Sequence, residues 1–388
     1  MPIDGTSEQR PPRIRLGMVG GGRDAFIGAV HRIASRIDDR FDLVAGAFSS
    51  TPEKSRASAA DLGVQPDRAY GDFVAMAKRE ARLKTGIEAV SIVTPNHMHF
   101  PVAREFLKRG IHVICDKPLT STLADAKKMV KAAEASGALF VLTHNYTGYP
   151  MIRHAQEMIA KGLLGEIRVV QVEYVQDWLT EEVHFKQADW RTDPAQSGAG
   201  GSTGDIGTHA MNLAAFTTGL ELEALAADLQ AFVPGRQVDD NGHVLLRFKG
   251  GACGMLWCSQ VAPGNENALK LRVYGTKGGL EWAQEDPNYL WYTPFGEPKR
   301  LITRSGAGAG EAANRLSRTP PGHPEGYLEG FANIYSEAAD AIAAHQAGVP
   351  LSDAVTYPGV LDGLAGVRFV DACVRSSARN AAWVNLDN

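Results

Sequence analysis

Two periodicities divide the chain. Between residues 14 and 143, short continuous apolar runs alternate with longer segments whose apolar positions recur every three or four residues. The runs at 14–20, 41–48, 89–93, 111–115 and 139–143 have the unbroken hydrophobicity of strands buried on both faces. The segments at 27–36, 52–62, 101–109 and 123–136 predict helices, and 94–97 a loop. Strands and helices in strict alternation predict a doubly wound α/β domain, with a parallel sheet between two helical layers.

The pattern then changes. Strand-like runs at 166–175, 224–233, 243–248, 254–261, 269–274 and 289–292 follow one another with few intervening helices. Lys249-Gly250-Gly251 and Thr276-Lys277-Gly278-Gly279 read as tight hairpin turns between them. This half is therefore expected to be an α+β domain with a large, mostly antiparallel open sheet. Helices at 151–161, 206–218 and 330–346 are expected to cover one face of it. The segment 305–324, rich in Gly, Ala and Pro, reads as a long loop serving as a lid or a partner-contact arm. The expected division is residues 1–147 and 148–388. A bare sheet face of this size predicts a homodimer or homotetramer.

Composition narrows the class. At 388 residues and 44% hydrophobic, the chain can bury two cores. A formal net charge of −4 gives no general polyanion-binding surface, so nucleic acid is not an expected partner. Cys115, Cys253, Cys258 and Cys373 form no CxxC or paired framework. Cys253 and Cys258 lie five apart in a strand-like run and so face opposite sides. Residues 1–13 are polar and expected to be disordered, and no segment is long and apolar enough for a bilayer. A soluble cytoplasmic protein without a membrane partner is the expectation. No HExxH or cysteine cluster suggests metal; the one HxH is His97-Met98-His99.

Chemistry enters with the glycine-rich turn Gly20-Gly21-Gly22-Arg23-Asp24-Ala25-Phe26-Ile27-Gly28. It follows a predicted strand and precedes a helix, where glycines let the backbone approach a pyrophosphate and helix amides can hold it. Gly20 and Gly22 fit the dinucleotide pattern, while the third glycine position holds Ala25. Gly28, after an apparent three-residue insertion, is expected to take that role. The second strand ends in Phe48-Ser49-Ser50-Thr51-Pro52-Glu53-Lys54, with hydroxyls where an acid usually grips the ribose. Ser49, Ser50 and Lys54, with Arg56 nearby, leave the cofactor as NAD or NADP.

Three ionisable residues offer acid-base work. Lys117 lies just past a predicted parallel strand, the edge where ligands bind in open α/β sheets. Asp205 and His209 are spaced i and i+4, which on one helix face lets the carboxylate orient the imidazole. Histidine can take a hydroxyl proton near neutral pH, and a lysine can stabilise the developing alkoxide. His323, in the long loop, could reach a polar substrate. Trp178, Trp190 and Trp257 read as core or interface residues.

The glycine turn, Thr94-Pro95-Asn96-His97-Met98-His99, Asp116-Lys117-Pro118 and Gly200-Gly201-Ser202-Thr203-Gly204-Asp205-Ile206-Gly207-Thr208-His209 occur in fitting order. So arranged, the chain resembles the Gfo/Idh/MocA oxidoreductases over roughly residues 14–374. The resemblance implies an N-terminal NAD(P)-binding Rossmann domain joined to a substrate-binding, oligomerising α/β domain. It implies that Lys117 orients substrate and contacts the nicotinamide ribose, with Asp116, a shorter stand-in for the family's glutamate, beside it at the cofactor. It also implies a base in His209 with Asp205 as its partner. Thr94, Asn96 and His99 inherit the loop along the cofactor. Asn145, Trp190 and Arg191 inherit positions near substrate. Asn212 replaces an aspartate found in many members.

The expected activity is oxidation of a ring hydroxyl of a sugar, anhydrosugar, glycoside or inositol by hydride transfer to NAD(P). Two alternatives are a redox-neutral NAD-dependent glycoside lyase or hydrolase, and a non-catalytic sugar sensor.

Overall fold

A computed structural model describes residues 12–23, 25–184 and 186–386. The leader expected to be disordered lies, up to residue 11, outside the described residues, as does Asp24 of the glycine turn.

The first half alternates as its sequence predicts: β1 (Ile14–Gly20), α1 (Phe26–Ile37), β2 (Phe41–Ala47), α2 (Pro52–Asp61), α3 (Phe73–Glu80), β3 (Ala89–Val93), α4 (His99–Leu107), β4 (His112–Cys115), α5 (Leu123–Ser136) and β5 (Phe140–Leu142). The five strands form one parallel sheet in the order β2-β1-β3-β4-β5. β3 and β4 are buried along their whole length, which explains their unbroken apolar sequence. Helix α3 escaped the sequence reading, although Asp72 caps it by accepting the Ala75 amide at 2.8 Å.

The rest runs α6 (Pro150–Ala160), β6 (Ile167–Val175), α7 (Lys186–Arg191), α8 (Pro194–Ser197), α9 (Thr208–Thr218), β7 (Leu222–Gln230), β8 (Asn241–Phe248), β9 (Cys253–Ser259), β10 (Ala268–Gly275), β11 (Gly278–Ala283), β12 (Tyr289–Pro294), β13 (Arg300–Thr303), α10 (Glu311–Arg315), α11 (Tyr327–Ala347), α12 (Val360–Ser377) and β14 (Val384–Asn385). Nine strands make the second sheet, ordered β13-β12-β11-β10-β6-β9-β8-β7-β14. Every neighbouring pair is antiparallel except β6 and β9. One face packs on α6, α9 and α12 around Leu213, Leu256, Leu269 and Phe369. On the other face, register places Leu245, Met255, Gln171, Arg272, Glu281, Trp291 and Leu301 in one row across seven strands. Leu245, Met255, Trp291 and Leu301 are exposed there.

Two expectations are corrected and one unread helix is added. Helix α11 does not cover the second sheet: Phe331, Ile334, Tyr335, Ala338 and Ile342 pack on α1 and on Leu16, Phe41 and Ile114 of the first. Helix α12, absent from the sequence reading, carries Gly363, whose added Cβ would lie 2.8 Å from both Leu119 and Leu142. That close approach to the first sheet is why a helix interior tolerates glycine there. The segment 305–324 is not a free lid. It contains α10, and the nearly buried Arg304 donates to the Thr319 carbonyl and hydroxyl at 2.9 Å while pairing with Glu325 at 3.1 Å.

Candidate active site

The glycine turn is a backbone cradle. Gly20 and Gly21 adopt φ of +82° and +69°, the left-handed region that favours glycine. A Cβ on Gly28 would stand 2.3 Å from the Gly21 Cα, so α1 can approach the turn only because residue 28 is glycine. Gly28 thus makes the close contact expected of the third glycine, and a Cβ on Gly22 would lie 2.7 Å from both the Phe48 carbonyl and the Ser58 hydroxyl. Arg32 donates to the Gly21 carbonyl at 2.5 Å and fixes the turn. Among the described residues no side chain caps α1 and its first turn holds no acid, whereas α3 and α5 are capped by Asp72 and Thr122. An uncapped N-terminus beside a glycine cradle fits the pyrophosphate of a dinucleotide.

At the end of β2, Ser49 accepts the Thr51 amide at 3.2 Å; Ser50 and Lys54 are exposed. Arg56 is engaged by Glu53 at 3.2 Å. The loop after β3 is tied down in two places. Asn96 donates to the Ser197 carbonyl at 3.0 Å, and the buried His99 ring spans the Thr94 carbonyl (2.9 Å) and the Pro118 carbonyl (2.8 Å). The Thr94 hydroxyl is buried without a partner. His99 therefore links the loop after β3 to the Lys117-Pro118 segment, which contains a cis peptide bond.

A cleft of about 1180 Å³ opens beyond the ends of the parallel strands, between the two sheets. Asp116, Lys117, Asn145, Arg191, Asp205 and His209 all line it. The Lys117 ammonium donates to the Asp205 carboxylate at 2.9 Å and to the Asp205 carbonyl at 2.6 Å. Arg191 and Gln260 donate to the other carboxylate oxygen at 3.2 and 2.9 Å. Burial alone would raise the Asp205 carboxyl, but the Lys117 and Arg191 charges outweigh it and hold the group far below the usual carboxylate range. Asp116 accepts the Thr143 hydroxyl at 3.1 Å and the Lys117 amide at 3.0 Å.

The expected Asp205–His209 hydrogen bond does not form. Thr203–Gly207 is a π-turn, so residues 205 and 209 do not stack as i and i+4 do on an α-helix, and the carboxylate turns to Lys117. The His209 Nδ1 is buried without a hydrogen-bond partner. Its ring packs edge-on against Tyr146 (centroids 4.8 Å) and His144 (5.4 Å). Burial, reinforced by Lys117 and His144, holds the His209 pKa well below the ordinary histidine value, so the ring is neutral near pH 7.

Two sequence candidates lie off the cleft. The His323 side chain is exposed outside the lining, its carbonyl taken up by Arg304. Trp190 is not a lining residue either; the Arg191 guanidinium sits 4.3 Å over its ring. Trp178, by contrast, reaches the lining rather than a core. The sequence reading also missed a polar wall. Tyr146 and Tyr174 hydroxyls meet at 2.5 Å, Tyr174 donates to Asn267 at 2.8 Å, and Asn267 donates to Gln284 at 2.9 Å. These residues sit on different strands and loops, and only Tyr146, beside Asn145, carried a local signal.

A Rossmann sheet with this cradle, opening on a cleft floored by Lys117, Asp205 and His209, defines an NAD-binding oxidoreductase with a second domain that completes the site. Residues 14–144 match the model of the oxidoreductase family with an NAD-binding Rossmann fold, and residues 152–281 match the GFO/IDH/MocA C-terminal domain. The chain belongs to the GFO/IDH/MocA oxidoreductases. Its fold is similar to an oxidoreductase of Sinorhizobium meliloti, with TM-score 0.90 and 67% identity, covering 96% of this chain and 100% of that one. An inositol dehydrogenase homolog of Azotobacter vinelandii, complexed with NADH and myo-inositol, gives TM-score 0.91 at 37% identity over 96% and 97%. Levoglucosan dehydrogenase of Pseudarthrobacter phenanthrenivorans is 26% identical over 404 residues, 96% of this chain and 98% of that protein.

Proposed function

We propose that the protein is an NAD(P)-dependent dehydrogenase oxidising a ring hydroxyl of a sugar, anhydrosugar, glycoside or cyclitol. The observation that carries this reading is a neutral imidazole and a lysine ammonium on one cleft floor, beneath a wall of tyrosine, asparagine and glutamine side chains. His209 accepts the hydroxyl proton. Lys117 stabilises the developing alkoxide, and Asp205, gripped also by Arg191 and Gln260, holds the ammonium in place. Gly20, Gly22, Gly28, Thr94, Asn96 and His99 shape the dinucleotide's bed, with Ser49, Ser50 and Lys54 at its ribose end. The bound nicotinamide supplies the hydride acceptor. Relatives named for inositol and levoglucosan support a polyhydroxylated ring as substrate. The open face carrying Leu245, Met255, Trp291 and Leu301 supports assembly of two or four copies. The free cysteines accord with a reducing cytoplasm. No helix among the described residues is long and apolar enough to cross a membrane.

The test is a panel of cyclitols, hexoses and anhydrosugars assayed with each nicotinamide, following formation of the reduced cofactor. His209→Ala should lower kcat on the order of 100- to 10,000-fold and leave NADH affinity nearly unchanged. Sugar binding without reduced nicotinamide from any panel member would overturn the reading. So would near-normal kcat in the His209 variant.

A further inference from the structure

The cleft is unevenly charged. Its floor is balanced: Asp205 faces Lys117 and Arg191, and the buried Glu325 faces Arg304 at 3.1 Å. Its mouth is not. Glu266, between β9 and β10, and Glu285 and Asp286, between β11 and β12, line the opening and are exposed to solvent. Among the described residues none of the three is held in an ion pair. Glu285 accepts the Asn267 amide at 3.1 Å, which draws the two loops together and concentrates their charge on one side of the opening.

A second observation points to what the floor receives. Asn145 is 3% exposed and lines the cleft, yet its amide nitrogen has no hydrogen-bond partner among the described residues. A buried, unpaired N–H donor lining the same cleft as Lys117 fits a neutral oxygen acceptor such as a ring hydroxyl. The cleft thus offers donors to hydroxyl oxygens inside and negative charge at the mouth.

We propose that this protein selects polyols without negative charge, and favours one bearing a protonated amine on the side remote from the reacting carbon. Glu266, Glu285 and Asp286 are the residues that set this choice. The inference rests on the polyol-dehydrogenase reading of the same cleft. A carboxylate or phosphate placed at the mouth meets three like charges, while the two cations that line the cleft among the described residues, Lys117 and Arg191, are engaged by Asp205. An ammonium in the same place gains from all three, and the part of its recognition owed to charge weakens with salt.

The experiment compares three versions of one ring scaffold: the parent polyol, its amino-for-hydroxyl analogue and its carboxylate analogue. Each is titrated calorimetrically into NADH-loaded protein and assayed for kcat/KM. At low ionic strength the amine should bind at least about tenfold more tightly than the carboxylate, with the gap closing toward 1 M salt. E266Q/E285Q/D286N should collapse the amine-to-carboxylate ratio toward one. E266Q/D286N, which leaves the Glu285–Asn267 bond in place, should collapse it in part and guards against misfolding of the triple variant. Equal binding of amine and carboxylate by the wild type, or a gap that survives these substitutions, would overturn the proposal. Binding in the expected charge order without any turnover would support the selectivity and sink the dehydrogenase reading. Turnover of all three versions alike would sink the selectivity alone.

Discussion

The glycine cradle and the floor of the cleft are made differently. The cradle is backbone: two glycines at positive φ, a third that lets α1 press against the turn, and helix amides with no side-chain cap. The floor is side chain: Lys117 and Asp205, 88 residues apart in sequence, meet at 2.9 Å and are joined by Arg191 and Gln260. A backbone site needs little beyond local chain geometry. A buried charged floor needs every partner present, because a carboxylate left unpaired away from water is costly.

This contrast can be broken by substitutions that should act in opposite ways. Lys117→Ala removes the proposed alkoxide stabiliser and strips Asp205 of one cation, so kcat should fall on the order of 100- to 1,000-fold while NADH affinity stays close to wild type. Loss of cofactor binding as severe as the loss of rate would show that the two regions are not separable. Gly28→Ala should do the reverse. Its Cβ meets backbone at 2.3 Å, so NADH affinity should weaken by about tenfold or more while kcat at saturating cofactor is largely retained.

Acidity sharpens the comparison, because the buried His209 of the floor has the buried His144 packed against it. Burial, aided by Lys117, pushes His144 down to about 3 and holds His209 well below its ordinary value. The acid limb of kcat/KM should accordingly lie well under pH 6.5. The unfolded chain takes up protons at these histidines below about pH 6.5 while the folded chain does not. Thermal stability should therefore be full above that pH and fall progressively toward about pH 3, as read from melting curves. Replacement of His144 by Phe should reduce that acid sensitivity. The smallest effect belongs to Gln260→Ala. It removes one of several donors to Asp205, and a few-fold loss of kcat/KM is expected.

Much of this was legible in the chain, for identifiable reasons. The strand–glycine turn–helix unit at 14–37 is local, so the turn and even the close packing at Gly28 could be read before any fold was known. Lys117, Asp205 and His209 could be singled out, but their pairing could not. The i, i+4 spacing argues for an Asp205–His209 bond, and only the π-turn at Thr203–Gly207 redirects the carboxylate to Lys117. The Tyr146–Tyr174–Asn267–Gln284 wall left almost no trace, because each member comes from a different element. Helix α12 hid behind Gly363 and Gly366, which look like helix breakers until Leu119 and Leu142 are seen pressed against the first of them.

The sequence alone determined the two layered architectures, the dinucleotide turn and the residue types available for proton transfer, since hydrophobic period and glycine placement act over short stretches. Tertiary structure decided which groups touch. It sent α11 back onto the first sheet, pinned the 305–324 segment through Arg304, left His323 on the surface and gave Asp205 to Lys117. Hydrogen bonds and ion pairs depend on ångström-scale distances between segments far apart in the chain, and a pattern read along one dimension does not contain those distances.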